Sequence, residues 1–341
     1  MASSKKIATC YASSNEYAIY TGISLLSLLK NNKEIISIVY ILSFGIDENN
    51  IAKLVKICEI YECPIKIVNA EDRMKDTVKM LNMNTFGGSY ATYARAFISE
   101  IISDFNDVLL YIDSDTIIDG SIKKLTHIDF EDKVYAAVIG MNQYKYPFDE
   151  IKLINGNKTY YACGVLLFNL KNWRIKKCTE LIKNFINNSK CKDFRYADQT
   201  VINNSIPDSL AIKLPLEFNY WGHIFRGRRL YFELSRNGYY SKKDIDRAKA
   251  NPIIIHYKGH VVHPWLTGNI SSLSDRYQYY KKLSPWKSEP EHSIYYSEEH
   301  GKETKAMRKV VNATIRYIRH APLVVLLIEY IVRIKHKVLG R

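Results

Sequence analysis

The sequence predicts an α/β fold built on a mostly parallel sheet with helices on both faces. Short apolar runs alternate with amphipathic helical stretches through the first third of the chain. Several of those runs are apolar almost without a break, as strands covered on both faces are. With 47% hydrophobic residues, the 341-residue chain has enough apolar material for a large core.

"KIATCYA" (6–12) reads as the first strand, and "YAIYTGISLLSLLKNN" (17–32) follows with apolar residues at helical spacing and a polar stop. "ISIVYIL" (36–42) is the second strand. In 47–62 Asp47 stands in N-cap position ahead of an apolar face formed by Ile51, Leu54, Val55, Ile57, Cys58 and Tyr61. "PIKIVNA" is the third strand, and this alternation is the pattern of right-handed crossovers. "YATYARAFISEII" (90–102) reads as a helix and "DVLLYID" (107–113) as a buried strand. "KVYAAVIG" and "YYACGVLLFNL" read as further strands, "KKCTELIKNFINNS" and "ADQTVINNSI" as helices, and "NPIIIHYKG" (251–259) as a strand bearing His256. From 266 to 301 Ser, Tyr, Lys and Glu dominate without apolar periodicity, so an irregular extension is expected there.

Ligands of parallel sheets bind beyond the carboxyl ends of the strands, and Asp113 and Asp115 of "LLYIDSDTII" stand at such an end. In the turn after a strand, two carboxylates at i and i+2 can converge on one divalent cation and leave positions open for diphosphate oxygens. A lone D-x-D also caps turns, so the pattern does not decide by itself. His256, closing an apolar strand, is the right type to add a nitrogen ligand to a manganese-like ion, or else is an ordinary strand-end histidine. Neither G-x-G-x-x-G after the first strand nor G-x-x-x-x-G-K-[ST] is present, which argues against a dinucleotide oxidoreductase and a phosphate-loop enzyme.

The net charge of +14 and 26 tyrosines suit an anionic partner: nucleic acid, a membrane face or a phosphorylated substrate. Cys10, Cys58, Cys63, Cys163, Cys178 and Cys191 show no C-x-x-C pair, which reads as reduced thiols in a cytosolic protein. The apolar run behind Lys5 and Lys6 is too short for a signal-peptide core, so export is not expected.

The ordered blocks "YASSNEYAIY", "TYARAFISE", "YIDSDTII", "YYACGVLLFNLKNW", "ADQTVIN" and "HYKGHVVHPW" resemble glycosyltransferase family 8 over about residues 5–265. The resemblance implies a GT-A fold, in which a Rossmann-like sheet supports retaining transfer from a nucleotide sugar, as in bacterial lipopolysaccharide glucosyl- and galactosyltransferases. It makes Asp113, Asp115 and His256 ligands of Mn2+ (or Mg2+), which bridges the diphosphate of UDP-glucose or UDP-galactose. Such an ion stabilises the charge that grows on departing UDP. Tyr17 matches the residue stacked on uracil and Ala12 the small residue beside it; Arg95 matches the arginine between the aspartates and the sugar. Ser114, Cys163, Gly164, Gly259 and His263 complete the implied donor contacts, and Gly164 does so by letting backbone approach the donor.

Asp198 and Gln199 match the pair beneath the donor sugar and, with Arg95, are the implied catalytic set. Retention through a covalent intermediate needs a carboxylate nucleophile, and Gln199 offers only an amide. Front-face substitution is therefore the expected course, with the acceptor hydroxyl attacking from the side UDP leaves and a phosphate oxygen taking its proton. Three positions depart from the family pattern: Ser14 for an aspartate, Ala162 for an asparagine, and His263, with one extra residue before it, for a lysine that Lys258 or His260 would replace.

Three divisions are expected: a catalytic domain over 1–265, the irregular extension over 266–301 and a basic amphipathic tail over 302–341. The tail holds ten Lys/Arg against two Asp/Glu. Its apolar run of about ten residues is half of what spans a bilayer. Ile315, Ile318, Leu323, Leu326, Leu327, Tyr330, Ile331 and Ile334 make a face suited to an anionic membrane surface, to the catalytic domain or to a second subunit. The resulting expectation is a cytoplasmic enzyme, peripheral on the inner face of the plasma membrane, that acts on an oligosaccharide or lipid-linked glycan in surface polysaccharide or lipopolysaccharide synthesis. The acceptor side is expected in the loops 70–88, 141–158 and 221–245. Two alternatives stand beside it: a family member without catalysis that binds sugar or lipid, and a basic nucleic-acid-binding protein, which the C-terminal placement of the charge disfavours.

Overall fold

The structure, a computed structural model, describes residues 6–83, 89–105, 107–140, 159–189, 194, 197–221, 238–258, 263–267, 269, 271–290 and 292–293. The tail over 302–341, Gly259, His260, Cys191 and the stretches 141–158 and 222–237 lie outside the described residues.

The first half follows the expected alternation: β1 (Ile7–Ser14), α1 (Ala18–Asn32), β2 (Ile36–Phe44), α2 (Glu48–Ile60), β3 (Ile65–Asn69), α3 (Glu71–Met80), α4 (Ile98–Ile101) and β4 (Val108–Ile112). Asp47 caps α2, its carboxylate accepting from the Asn50 N–H at 2.7 Å. Next come β5 (Thr116–Ile118), β6 (Tyr135–Ile139), β7 (Tyr161–Asn169), α5 (Leu170–Ile175), α6 (Cys178–Asn188), α7 (Ala197–Ser205) and β8 (Ala211–Lys213). The chain ends its described part with α8 (Lys242–Ala250), β9 (Ile254–His256), β10 (Leu266–Thr267), α9 (Ser274–Leu283) and β11 (His292–Ser293).

Seven strands form the central sheet in the order β3-β2-β1-β4-β7-β6-β8. All neighbours run parallel except β7, which is antiparallel to both β4 and β6. The chain moves outward from β1 to β3 and then returns to lay β4 on the other side of β1, so the strand order reverses between β1 and β4. Such a reversal opens a crevice at the carboxyl ends of the strands, which here end in Ser14 and Asp113.

Helix α1 buries most of its circumference: Leu25, Leu28 and Leu29 are fully enclosed, each worth about 1.5–3 kcal/mol. Its small hydroxyls serve a second purpose. Thr21 Oγ1 meets Ser114 Oγ at 2.8 Å, Ser24 Oγ meets Thr116 Oγ1 at 2.9 Å, and Ser27 Oγ accepts from the Ile118 N–H at 2.9 Å. Positions three apart on the helix thus serve alternate residues running into β5, and the turn that carries Asp113 and Asp115 is bolted to α1. β5 itself pairs antiparallel with β9, placing Thr116 opposite His256.

Three segments differ from the sequence expectation. Residues 71–80, expected as loop, form α3, with Met74, Thr77 and Val78 buried at helical spacing in an otherwise charged stretch. The helix expected over 90–102 is a 3-10 segment, Ala91–Phe97, followed by the short α4. Its run of buried residues from Tyr93 to Phe97 suits the narrower winding better than a one-faced α-helix. Within 266–301, where no regular structure is expected, α9 forms and packs on α1. Its inward face is made of Tyr277 and Tyr280, and the Tyr280 hydroxyl accepts from Asn31 Nδ2 at 2.8 Å. Just beyond α9, Trp286 covers Gly22 so closely that a Cβ there would lie 2.1 Å from the indole.

Candidate active site and cation site

Asp113 leaves β4 with its N–H donating to the Gly164 carbonyl at 2.8 Å, which extends the β4–β7 ladder to the sheet's end. The Thr116 hydroxyl donates to the Asp113 carbonyl at 2.8 Å and closes the turn, and the Asp115 carbonyl accepts from the Tyr257 N–H at 2.9 Å. His256 arrives on β9 and lies opposite both carboxylates. Its Nε2 is 3.1 Å from Asp115 Oδ1 and 3.9 Å from Asp113 Oδ2. One ligand atom from each of Asp113, Asp115 and His256 lies within 4.8 Å of the others. Two hard oxygens and one imidazole nitrogen suit a divalent ion of the manganese or magnesium type, with coordination positions left for other oxygens. The donor set therefore fits such an ion.

The two aspartates differ electrostatically. Burial raises the Asp113 pKa, and Asp115 adds to the rise against the pull of Arg95. Burial acts on Asp115 in the same sense, but the His256 imidazole beside it outweighs this and holds Asp115 well below the usual carboxylate range.

Arg95 is buried in the 3-10 segment and ties two carboxylates together. Its Nη2 is 2.9 Å from Asp113 Oδ1, its Nη1 donates to Asp113 Oδ2 at 3.1 Å, and its Nε is 2.8 Å from Asp198 Oδ2. The last contact is an ion pair by distance without hydrogen-bond alignment, so among the described residues Asp198 Oδ2 is buried with no hydrogen-bond donor. The guanidinium also lies 4.8 Å from the Tyr111 ring centre and donates to the Cys163 carbonyl. Burial pushes the Asp198 carboxyl up to about 7 despite Arg95. Ala197, at φ +44°, enters α7 in the left-handed region just before Asp198, an unusual backbone state for a residue with a side chain.

Gln199 is held at both ends of its amide: Oε1 accepts from the Cys163 N–H at 3.1 Å and Nε2 donates to the Tyr160 hydroxyl at 3.1 Å. Cys163 points its thiol inward, fully buried. Ser114 likewise turns its hydroxyl inward, toward Thr21 at 2.8 Å and the Ala12 carbonyl at 3.5 Å. At Gly164 the place of the missing Cβ is taken by this chain's own atoms. A Cβ would lie 2.2 Å from His256 Cε1 and 2.8 Å from Asp113 Oδ2.

Ala12 and Ser14 end β1 beside this cluster. Tyr17 is 45% exposed at the start of α1, and among the causes that raise its pKa, after burial, are Asp115 and Asp113. His263 Nε2 is 4.0 Å from Asp115 Oδ2, and its ring stacks on Trp265 at 4.5 Å, which in turn stacks on Tyr20 at 3.9 Å. Lys258 is exposed, lies 6.0 Å from the Trp221 ring centre and is near enough to Asp113 and Asp115 to feel their charge.

The expected residues Asp113, Asp115, His256, Arg95, Asp198, Gln199, Cys163, Gly164, Tyr17 and His263 thus gather at the carboxyl end of the sheet. Sequence reasoning missed Asn219, whose Oδ1 is 2.9 Å from His256 Nδ1, and the Trp265 stack that seats His263. The one signal for Asn219 is a polar residue between aromatics in "EFNYW".

A family model described as Glycosyl transferase family 8 matches residues 8–268. Lipopolysaccharide 1,2-glucosyltransferase of Escherichia coli is 26% identical over 292 residues, which cover 85% of this chain and 82% of that protein. Lipopolysaccharide 1,3-galactosyltransferase of Salmonella typhimurium is 22% identical over 333 residues, 92% of this chain and 91% of that protein. The crystal structure of galactosyltransferase LgtC in complex with donor and acceptor sugar analogs matches with a TM-score of 0.63 at 20% identity, covering 86% of this chain and 99% of that one. This likeness shows a shared α/β architecture of the GT-A type.

Proposed function

The chain belongs to glycosyltransferase family 8, a family of retaining hexosyltransferases, and on that premise we propose that it moves glucose or galactose from a UDP-sugar to a glycan acceptor of surface polysaccharide or lipopolysaccharide. The observation that carries this reading is the convergence of Asp113, Asp115 and His256 within 4.8 Å, with the Arg95–Asp198 pair behind them. These three would hold Mn2+ or Mg2+, and a cation there supplies Lewis-acid stabilisation of negative charge on the diphosphate.

The chain's own groups divide the remaining work. Tyr17 and Ala12 receive the uracil, with the backbone at Ser114, Cys163 and Gly164 beside the donor. Lys258 and His263 flank the phosphates, where Lys258 stands in for the lysine that the family places at His263. Asp198 accepts from sugar hydroxyls, and Arg95 keeps its carboxylate and that of Asp113 in register. Gln199, with both ends of its amide engaged, is a rigid wall beneath the sugar rather than a nucleophile, which favours front-face substitution. Among the described residues no helix is long and apolar enough to cross a membrane. The basic stretch 302–341 supports a peripheral position on the inner membrane face, close to lipid-linked acceptors.

The test is UDP release from UDP-glucose and UDP-galactose in Mn2+, with and without lipopolysaccharide-type acceptors, by the full chain and by Asp115→Ala. Turnover of one donor that Asp115→Ala abolishes supports the reading. No turnover of any UDP-hexose by folded protein removes it. A second reading, donor binding without transfer, is favoured by Ala162 and His263, and it predicts that UDP-sugars bind yet are not cleaved.

A further inference from the structure

We propose that Asn219 is a positioning residue of the cation site, an inference that rests on the metal-ligand reading of Asp113, Asp115 and His256. Its amide oxygen holds the Nδ1–H of His256, which leaves the Nε2 lone pair free toward the two carboxylates. Histidine ligands of metals generally give their second ring nitrogen to such an acceptor, which fixes the tautomer and the ring orientation.

Four observations carry this. Asn219 closes the 3-10 segment Leu216–Asn219, is fully buried, and places Oδ1 2.9 Å from His256 Nδ1. Its Nδ2 is buried with no hydrogen-bond partner among the described residues, so the amide is used there through its oxygen. Burying an amide with half its capacity unused is unfavourable and has no rationale as mere packing. The backbone fixes the pairing: the His256 N–H donates to the Tyr220 carbonyl at 2.9 Å, and the Tyr220 N–H donates to the Ile254 carbonyl at 2.8 Å. Beside the same part of the ring, Gly164 leaves room that a single Cβ would close, since it would stand 2.2 Å from His256 Cε1 and 2.8 Å from Nδ1. The imidazole is therefore closely packed by an amide and a glycine around Nδ1 and Cε1, with Nε2 toward the carboxylates. With the amide reversed, Nδ2 would donate to Nδ1 and the ring proton would sit on Nε2, facing Asp115, where it bars a metal bond.

The experiment titrates Mn2+ into the metal-free full chain, following free Mn2+ by electron paramagnetic resonance, for wild type, Asn219→Leu and Asn219→Asp, with Tm recorded for each metal-free protein. Asn219→Leu is expected to bind Mn2+ about 10–100-fold more weakly. Asn219→Asp, which keeps an acceptor oxygen, is expected to bind at least as tightly as wild type. A purely packing role would lower the Tm of the metal-free protein and leave Mn2+ affinity unchanged; that result overturns the proposal. If Asn219→Leu does not fold, Asn219→Asp decides, and a loss of affinity of about tenfold or more there overturns it. Wild type without Mn2+ affinity removes the underlying cation reading as well, whereas wild-type affinity matched by Asn219→Leu removes this inference alone.

Discussion

Replacing Gly164 by alanine probes how tightly the cation site is built. The added Cβ would lie 2.2 Å from His256 Cε1, 2.8 Å from His256 Nδ1 and 2.8 Å from Asp113 Oδ2. Ordinary contact begins near 3.4 Å, so the imidazole must retreat by roughly 1 Å, several times the tolerance of about 0.2 Å on metal-ligand distances. Any such shift also disturbs the 2.9 Å contact between His256 Nδ1 and the fully buried Asn219. The Gly164 backbone is not in the left-handed region, so the whole cost is steric; overpacking of this kind typically costs about 1–3 kcal/mol. Gly140→Ala is the control, since its Cβ would meet nothing closer than 3.4 Å. The assay is Mn2+ titration together with urea unfolding of the metal-free protein. Gly164→Ala should lose affinity about tenfold or more and stability by about 1–3 kcal/mol, and Gly140→Ala should stay near wild type in both. Wild-type affinity and stability in Gly164→Ala would refute the argument, because the ring would then have freedom that the packing denies it.

Other perturbations separate the remaining parts of the site. Asp198, with its pKa raised to about 7, keeps a proton in the folded chain between about pH 4 and 7 that the unfolded chain has released. Folding stability from this group therefore falls as pH rises through that window, by on the order of 2 kcal/mol between pH 5 and 8; Asp198→Asn should flatten the slope in urea unfolding, and an unchanged slope counts against the raised pKa. Arg95→Met leaves Asp113 and Asp198 buried without their cation and should cost about 3–5 kcal/mol at pH 8, with Arg95→Lys recovering only part of it; equal stability of all three proteins would contradict the ion-pair geometry. Thr21→Val removes the partner that the Ser13 and Ser114 hydroxyls each meet at 2.8 Å, leaving them the Ser14 carbonyl at 3.0 Å and the Ala12 carbonyl at 3.5 Å, and should destabilise by about 0.5–1.5 kcal/mol per lost bond with weaker Mn2+ binding. Lys258→Ala should raise KM for the UDP-sugar more than it lowers kcat, and an unchanged KM would remove Lys258 from the phosphates.

Much of this architecture was readable from residue order because its strands are buried on both faces and its first helices carry simple apolar stripes. β4 is wholly buried and is followed at once by Asp113, so the one local pattern that matters chemically coincides with a strand end. The GT-A architecture and the partners of Asp113 and Asp115 came from six ordered blocks rather than from periodicity. The failures share a cause: the burying surface is not a long, one-sided aliphatic stripe. α9 buries tyrosines, α3 buries Met74, Thr77 and Val78 among charges, and the 3-10 segment before α4 buries its residues on every side. Asn219 was invisible for another reason. A lone asparagine between aromatics acquires meaning only through His256, which tertiary structure alone brings to it.

The ligand cluster also bears on how the polypeptide is made. Asp113 and Asp115 emerge from the ribosome well before His256, and the β5–β9 pairing that aligns them cannot form until the later strand exists. A growing chain consequently has no complete ligand set, and on the proposed cation reading an ion could be held there only after distant segments have met. Once bound, the ion fastens early and late parts of the molecule together, so Tm should climb with added manganese as mass action on the native state demands.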